Sequence, residues 1–157
     1  MGPRANPPEP LSVEKFAVSA AILRTSEPLV SLGLSEARLQ ADARFPWIVL
    51  IPRVEAAREL EDLSSDQRRL LMDEMLAAGH AVRAVGLALR RPVEKLNVGQ
   101  LGNVTAQLHV HVVGRRADDA AWPGPVWGAG AAQTYAAEDL AQALAAARVA
   151  LGLSPDL

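Results

Sequence analysis

Two of the protein's three histidines lie two positions apart, within residues 107–113 (Gln-Leu-His-Val-His-Val-Val). Successive side chains of a strand point to opposite faces, so this alternation predicts a strand with Gln107, His109 and His111 in a row on one face. The leucine and valines between them would form the opposite face and pack in the core. We expect the polar row to face a ligand, since two histidines at this spacing are less easily explained as incidental residues of an exposed sheet.

Metal binding is the first of two chemistries that suit such a pair. Two imidazoles on one strand face can chelate zinc or iron, but a catalytic metal needs a third protein ligand. The chain has no cysteine, and it offers only His80, within a helical pattern, or scattered carboxylates such as Asp118 and Asp119. We therefore expect no metal, and a metal enzyme using His109 and His111 stays as the weaker alternative.

Nucleophilic attack at phosphorus is the second chemistry. A neutral imidazole, whose pKa is about 6.5, is largely unprotonated at physiological pH and can attack without a metal. The reaction needs a partner that fixes the tautomer of the nucleophile, donors for the phosphate oxygens and a proton source for the leaving group. The polar strand face and the preceding glycine- and asparagine-containing loop, residues 99–103, could supply all three.

The surrounding pattern predicts three strands and two helices, in the order strand, helix, strand, strand, helix. Residues 45–51 form an apolar, β-branched run typical of a strand buried on both faces. Residues 35–41 alternate only weakly, and residues 11–23 fit either a short helix or an irregular segment. The order indicates a compact α+β domain over residues 11–157, after a proline-rich, flexible N-terminal arm at residues 1–10. The remaining predicted elements are a helix that starts with Ser65 or Asp66 as N-cap and ends at residues 90–92, strands at residues 93–98 and 107–113, an irregular segment at residues 122–128, and a helix at residues 138–151.

Composition sets the class of protein. The 157 residues carry 16 basic and 18 acidic side chains, a net charge of −2, and 50% of them are hydrophobic. A charge this near neutral argues against binding of polymeric nucleic acid, which requires a basic surface. No stretch approaches the roughly 18 apolar residues that cross a bilayer, and the first ten residues do not resemble a signal peptide. We expect a cytoplasmic protein that has no membrane partner and acts on a small molecule.

Taken in order, these segments resemble the core of the histidine triad (HIT) superfamily. The resemblance rests on residues 96–99 (Leu-Asn-Val-Gly), residues 102–104 (Gly-Asn-Val) and the histidine-containing strand, set against the family pattern His-x-His-x-His-x-x. It extends upstream to residues 42–53, and downstream to residues 121–128, which are similar to the tail of a bacterial HIT-like subgroup. Gln107 stands where the family has its first histidine.

The resemblance implies an antiparallel sheet of about five strands with a long helix and a C-terminal helix, and usually a homodimer. It also implies hydrolysis or transfer at the α-phosphate of a nucleotide or nucleotide conjugate, with no cofactor. His109 takes the position of the family's nucleophile, and His111 that of a histidine that contacts phosphate oxygens. Asn97 and Asn103 fall where the family binds ribose-phosphate or phosphate.

Three further residues are candidates for the site. Gln107 keeps a donor and an acceptor, and it could orient His109 or contact phosphate, but it cannot titrate near neutral pH. Gly102 would let backbone N–H groups approach a phosphate, and Trp122, like Trp127, would either cover a nucleobase or pin its own loop. The glutamine leaves one alternative of another class, a nucleotide-binding or sensing module with weak or no catalysis.

Overall fold

The computed structural model describes residues 16–153, and all of its strands belong to one antiparallel sheet. The strand order is β1-β2-β3-β5-β4, and every adjacent pair is antiparallel. The five strands and the helices confirm the predicted α+β class. The elements are α1 (Ala20–Arg24), β1 (Ser26–Ser31), β2 (Ser35–Gln40), β3 (Trp47–Pro52), α2 (Ser65–Ala88), β4 (Lys95–Gly99), β5 (Val110–Arg115) and α3 (Ala137–Ala150), with a short 3₁₀ turn at Leu60–Asp62.

The central strand β3 is buried along its whole length, as its apolar sequence predicts. Ile48 and Leu50 belong to the core on the α2 side of the sheet. Trp47, Val49 and Ile51 point to the opposite side, where they form a second apolar cluster. Both faces of the sheet are therefore covered, and the second face carries the site described below.

The long helix α2 packs on the first face of the sheet. Its N-cap is Ser64, whose side chain accepts from Gln67 N while the Gln67 side chain binds back to Ser64 N. This capping box moves the start of the helix one or two residues ahead of the predicted caps at Ser65 or Asp66. Within α2, a Cβ on Gly79 would lie 2.9 Å from Leu96 Cδ1, so the glycine lets β4 approach the helix.

The histidine strand begins later than predicted. β5 runs Val110–Arg115, so Gln107 and His109 precede it instead of lying within it. Val110 and Val112 belong to the α2-side core, which confirms the predicted apolar face. His111 points the other way and lies between Val49 of β3 and Gly99 of β4 in the strand register.

The two N-terminal strands differ most from the prediction. Residues 35–41 do form a strand, β2, although their alternation is weak, and β1 was not predicted at all. Of residues 11–23, the structure describes an irregular stretch followed by α1, and residues 11–15, like the predicted arm at residues 1–10, lie outside the described residues. Within residues 16–153, no helix is both long and apolar enough to cross a membrane.

Candidate active site

A cavity of about 510 Å³ lies on the sheet face opposite α2, and both histidines of the pair line it. A second cavity of about 290 Å³ adjoins it and shares His109, His111, Val104 and Thr105. Val104 is fully exposed, so the two cavities meet at an opening to solvent. The histidines therefore stand where the two arms of one cleft join, in position to act on a ligand with a part in each arm.

His109 is held in one tautomer by the main chain. Its Nδ1 lies 2.6 Å from the carbonyl oxygen of Gln107. Because a carbonyl can only accept, Nδ1 carries a proton, and in the neutral ring the lone pair is therefore on Nε2. The neutral ring is thus in the form that a nucleophile requires.

His111 is held in the other tautomer by a side chain. The indole Nε1 of Trp47 donates to His111 Nδ1 across 3.0 Å, so the proton of the neutral ring sits on Nε2. Burial, aided by the nearby His109, lowers the pKa of His111 to about 4. His111 is therefore a neutral hydrogen-bond donor near pH 7.

The two rings are close enough to act on one group, since their centroids lie 4.9 Å apart. One ring offers a lone pair and the other an N–H. Such a pair can attack an electrophilic phosphorus and donate to one of its oxygens without a metal.

The predicted polar row of three side chains is broken at Gln107. Its Nε2 donates to Ala17 O, its Oε1 accepts from Ser19 N, both at 2.8 Å, and it lines neither cavity. The side chain turns away because residue 107 lies outside β5. At this position the segment of residues 17–19 runs beside Gln107 and binds its amide. Ser19 caps α1, and Ile22 of α1 lines the second cavity, so Gln107 ties one wall of the cleft in place.

The other predicted binding residues divide into two groups. Asn103 lines the larger cavity, and a Cβ on Gly102 would lie 4.0 Å from His109 Cε1, so the loop of these two residues does lie against the site. Asn97 instead accepts from Arg115 Nη1 at 2.7 Å and lines neither cavity. Trp122 also lies outside both cavities, with the Arg115 guanidinium 5.7 Å from its ring centroid.

Trp127 occupies the place considered for Trp122. Its ring lines the larger cavity, edge-on to His111 and Trp47 at centroid distances of 5.5 and 6.2 Å. It fits there because Gly99 has no side chain, since a Cβ on Gly99 would lie 2.9 Å from the indole Cη2.

The pair Asp42–Arg44 fixes the part of the cleft wall formed by the residues just after Trp127. Neither residue was predicted from the sequence as a site residue. Arg44 binds both oxygens of Asp42 and donates from Nη1 to Ala129 O at 2.7 Å, while Gln133 N donates to Asp42 Oδ1. Burial would raise the pKa of Asp42, but the Arg44 bond and the main-chain N–H donors outweigh it and lower that pKa. The only signal for the pair in the sequence is its position just before the apolar strand.

A buried arginine, Arg115, holds the segment that precedes Trp127 in sequence. Arg115 is 1% exposed, and it binds both oxygens of Asp119 as well as Gly124 O and Asn97 Oδ1. The link joins the end of β5 to the irregular segment that leads to Trp127. Arg115 thereby shapes the cleft without lining it.

Within the described part of the chain, metal ligands do not gather at the cleft. Among residues 16–153, no three histidine, aspartate or glutamate side chains are placed to hold a metal ion together. Trp47 occupies His111 Nδ1, so the neutral His111 ring carries its proton on Nε2 and offers no lone pair to the cleft. The metal-enzyme alternative therefore finds no third ligand in that part of the chain.

Comparisons with known proteins agree with this geometry. The family model for the HIT domain matches residues 25–118. A histidine triad protein of Bradyrhizobium japonicum is 33% identical, with 87% of this chain and 98% of that one covered and a TM-score of 0.79. Histidine triad proteins of Sinorhizobium meliloti (34% identity, 87% and 97% covered, TM-score 0.77) and Marinobacter aquaeolei (31%, 87% and 96%, 0.78) are similar to the same extent. No curated protein matches the chain. The antiparallel sheet and the histidine pair in one cleft agree with these matches, and the chain belongs to the histidine triad family.

Proposed function

We propose that the protein hydrolyses or transfers nucleotide conjugates at the α-phosphate, through a covalent nucleotidyl intermediate on His109. Family membership supports a nucleotide-related function. The observation that carries the finer proposal is the pair of opposite tautomers, with a lone pair on His109 and an N–H on His111, where the two cavities meet.

The reaction has two steps. His109 Nε2 attacks the α-phosphorus, an N–P bond forms, and the bond from phosphorus to the leaving group breaks. His111 Nε2–H donates to a phosphoryl oxygen, where negative charge builds up. Water then attacks phosphorus and releases a proton to solvent, the N–P bond breaks, and the nucleoside monophosphate leaves with His109 neutral again.

The proton for the leaving group comes from water in this proposal. Gln107 cannot titrate near neutral pH, and both ends of its amide are bound to the main chain of residues 17 and 19. His111 is neutral near pH 7 and acts as a hydrogen-bond donor rather than as an acid. Conjugates whose leaving groups need little protonation should therefore react fastest. In this proposal Asn103 and the loop at Gly102 hold the phosphate.

The proposed assembly is a homodimer formed through the face between α2 and β4. Leu76, Met72 and Val98 are exposed there and line an apolar groove, and β4 is an edge strand. Exposed apolar surface of this kind marks interaction sites. A second copy is the partner that the family resemblance implies.

The function is tested by turnover of adenosine phosphoramidate and of a dinucleoside polyphosphate. Replacing His109 with alanine should lower kcat by more than about 10³-fold, the scale on which removal of a nucleophile acts. His80 lies outside both cavities but lines the groove of the proposed dimer, so His80→Asn serves as the control once sedimentation shows the wild-type assembly, with activity expected near that of the wild type. Equal activity of H109A and the wild type would refute the mechanism. Nucleotide binding without turnover in the wild type would favour the sensing module.

A further inference from the structure

The contact between Trp47 and His111 has consequences beyond packing. Trp47 stands at the first position of β3 and is buried, with its Nε1 3.0 Å from His111 Nδ1. An indole N–H can only donate, so the nitrogen that faces it must offer a lone pair. The bond thus selects one of the three states that an imidazole can adopt.

The other two states are disfavoured by the surroundings. A proton on Nδ1, in the other neutral tautomer or in the imidazolium, would set two N–H groups against each other in a buried site. The rings of His109 and Trp127 pack edge-on to His111, at 4.9 and 5.5 Å between centroids. Across the strands its neighbours are Val49 and Gly99, and neither has a side chain that could accept a hydrogen bond from a second N–H of His111.

Nearby charges do not reverse this preference. Asp42 and Arg44 line the same cavity, but they are bound to each other, and Arg24 lines the adjoining cavity. No carboxylate among the described residues accepts a hydrogen bond from His111, so nothing there compensates a positive charge on the ring. His109 is the other titratable group beside it, and a positive charge there acts against a second one.

We propose that Trp47 is a positioning residue that holds His111 as a neutral Nε2–H donor throughout the pH range in which His109 can attack. In its catalytic consequence the inference rests on the proposed function. Nucleotidyl transfer turns His109 into a cation, and a neutral His111 avoids a pair of like charges 4.9 Å apart. A donor that is already fixed also needs no reorientation when charge develops on the phosphoryl oxygen.

The direct test is NMR of the full-length protein with ¹⁵N-labelled histidine. The chain has only three histidines, so His80→Asn and His109→Ala variants assign the signals. We expect His111 to show a protonated Nε2 and an unprotonated Nδ1, with no titration between pH 5 and 8. Detection of Nδ1–H on His111, or titration of this ring within that range, would overturn the proposal even without any variant of Trp47.

Two matched variants separate the hydrogen bond from packing. Trp47→Phe removes the N–H and keeps a ring, and Trp127→Phe does the same for an indole whose buried Nε1 has no hydrogen-bond partner within the described residues. We expect W47F to mix the His111 tautomers and to raise the pKa of His111. It should lower kcat/KM at pH 6 about tenfold, the scale of one hydrogen bond. W127F should keep the wild-type tautomer. Equal tautomer changes in both variants, or none in a folded W47F, would overturn the proposal. If no nucleotide conjugate is turned over while the tautomer result holds, it is the proposed function that fails.

Discussion

Replacing Asp119 with asparagine should destabilise the protein far more than the same change at Asp118. Asp119 is 3% exposed and binds Arg115, itself 1% exposed, through both oxygens at 2.8 and 3.0 Å. Asparagine keeps the shape but leaves a buried guanidinium without its counter-charge, which costs about 3–5 kcal/mol. Asp118 is 63% exposed in its pair with Arg116, and such surface pairs contribute about 0–1 kcal/mol.

Urea unfolding at pH 7 and 25 °C measures both changes. A typical domain has a free energy of unfolding of about 5–15 kcal/mol, so D119N should shift the midpoint strongly and D118N hardly at all. A D119N protein within about 1 kcal/mol of D118N would refute the claim that Arg115 and Asp119 form a buried, mutually dependent pair. It would also remove the main reason for the fixed position of the segment that leads to Trp127.

The pH dependence gives an independent check of the same pair. Burial would raise the pKa of Asp119, but the bonds to Arg115 and to the main-chain N–H groups of Arg116 and Ala121 outweigh it and lower the pKa to about 2, from 3.8. A carboxylate with a depressed folded-state pKa stabilises the fold above its unfolded pKa, and the contribution disappears as the pH falls through the folded value. The difference between wild type and D119N should therefore stay constant from pH 7 to about 4 and shrink towards pH 2.

Two further changes test the wall of the cleft and the assembly. Gln107→Ala should raise KM several-fold, because α1 loses its tie to the cleft, and should leave the pH profile of kcat unchanged. A shifted profile would instead show that the Gln107 side chain acts on His109, whose Nδ1 faces the carbonyl oxygen of the same residue. The double change Leu76→Glu and Val98→Glu should convert the proposed dimer into a monomer in sedimentation. Leu87→Glu should not, because Leu87 is about as exposed on α2 but lies outside the groove. If L76E/V98E sediments like the wild type, another surface is the interface.

Local patterns predicted the elements that depend on local chemistry. The apolar run that ends at Ile51 is β3, and the serine-rich start of α2 is a capping box, although its cap is Ser64. β1 could not be predicted because Pro28 interrupts a six-residue strand. The strand forms at the sheet edge, where a proline that donates no hydrogen bond is tolerated, and it shows a register shift just after this residue.

The site was predictable only in part, because its partners are distant in sequence. The spacing of His109 and His111 indicated the chemistry, but Trp47 lies 64 positions from the ring it binds, and only the register of β3 against β5 brings them together. The choice of Trp127 over Trp122 depends on the space above Gly99, which is a property of the packed sheet.

Detection of the covalent intermediate tests the proposed mechanism most directly. The protein is mixed with an adenosine conjugate, quenched within one turnover under alkaline denaturing conditions that preserve an N–P bond, and digested for peptide mass analysis. We predict that the peptide with His109 gains the mass of one nucleotidyl group and loses it as the product appears, and that H109A gains none although it still binds nucleotide. Turnover of the conjugate by the wild type with no adduct on His109, or with the adduct on another residue, would contradict the proposed mechanism.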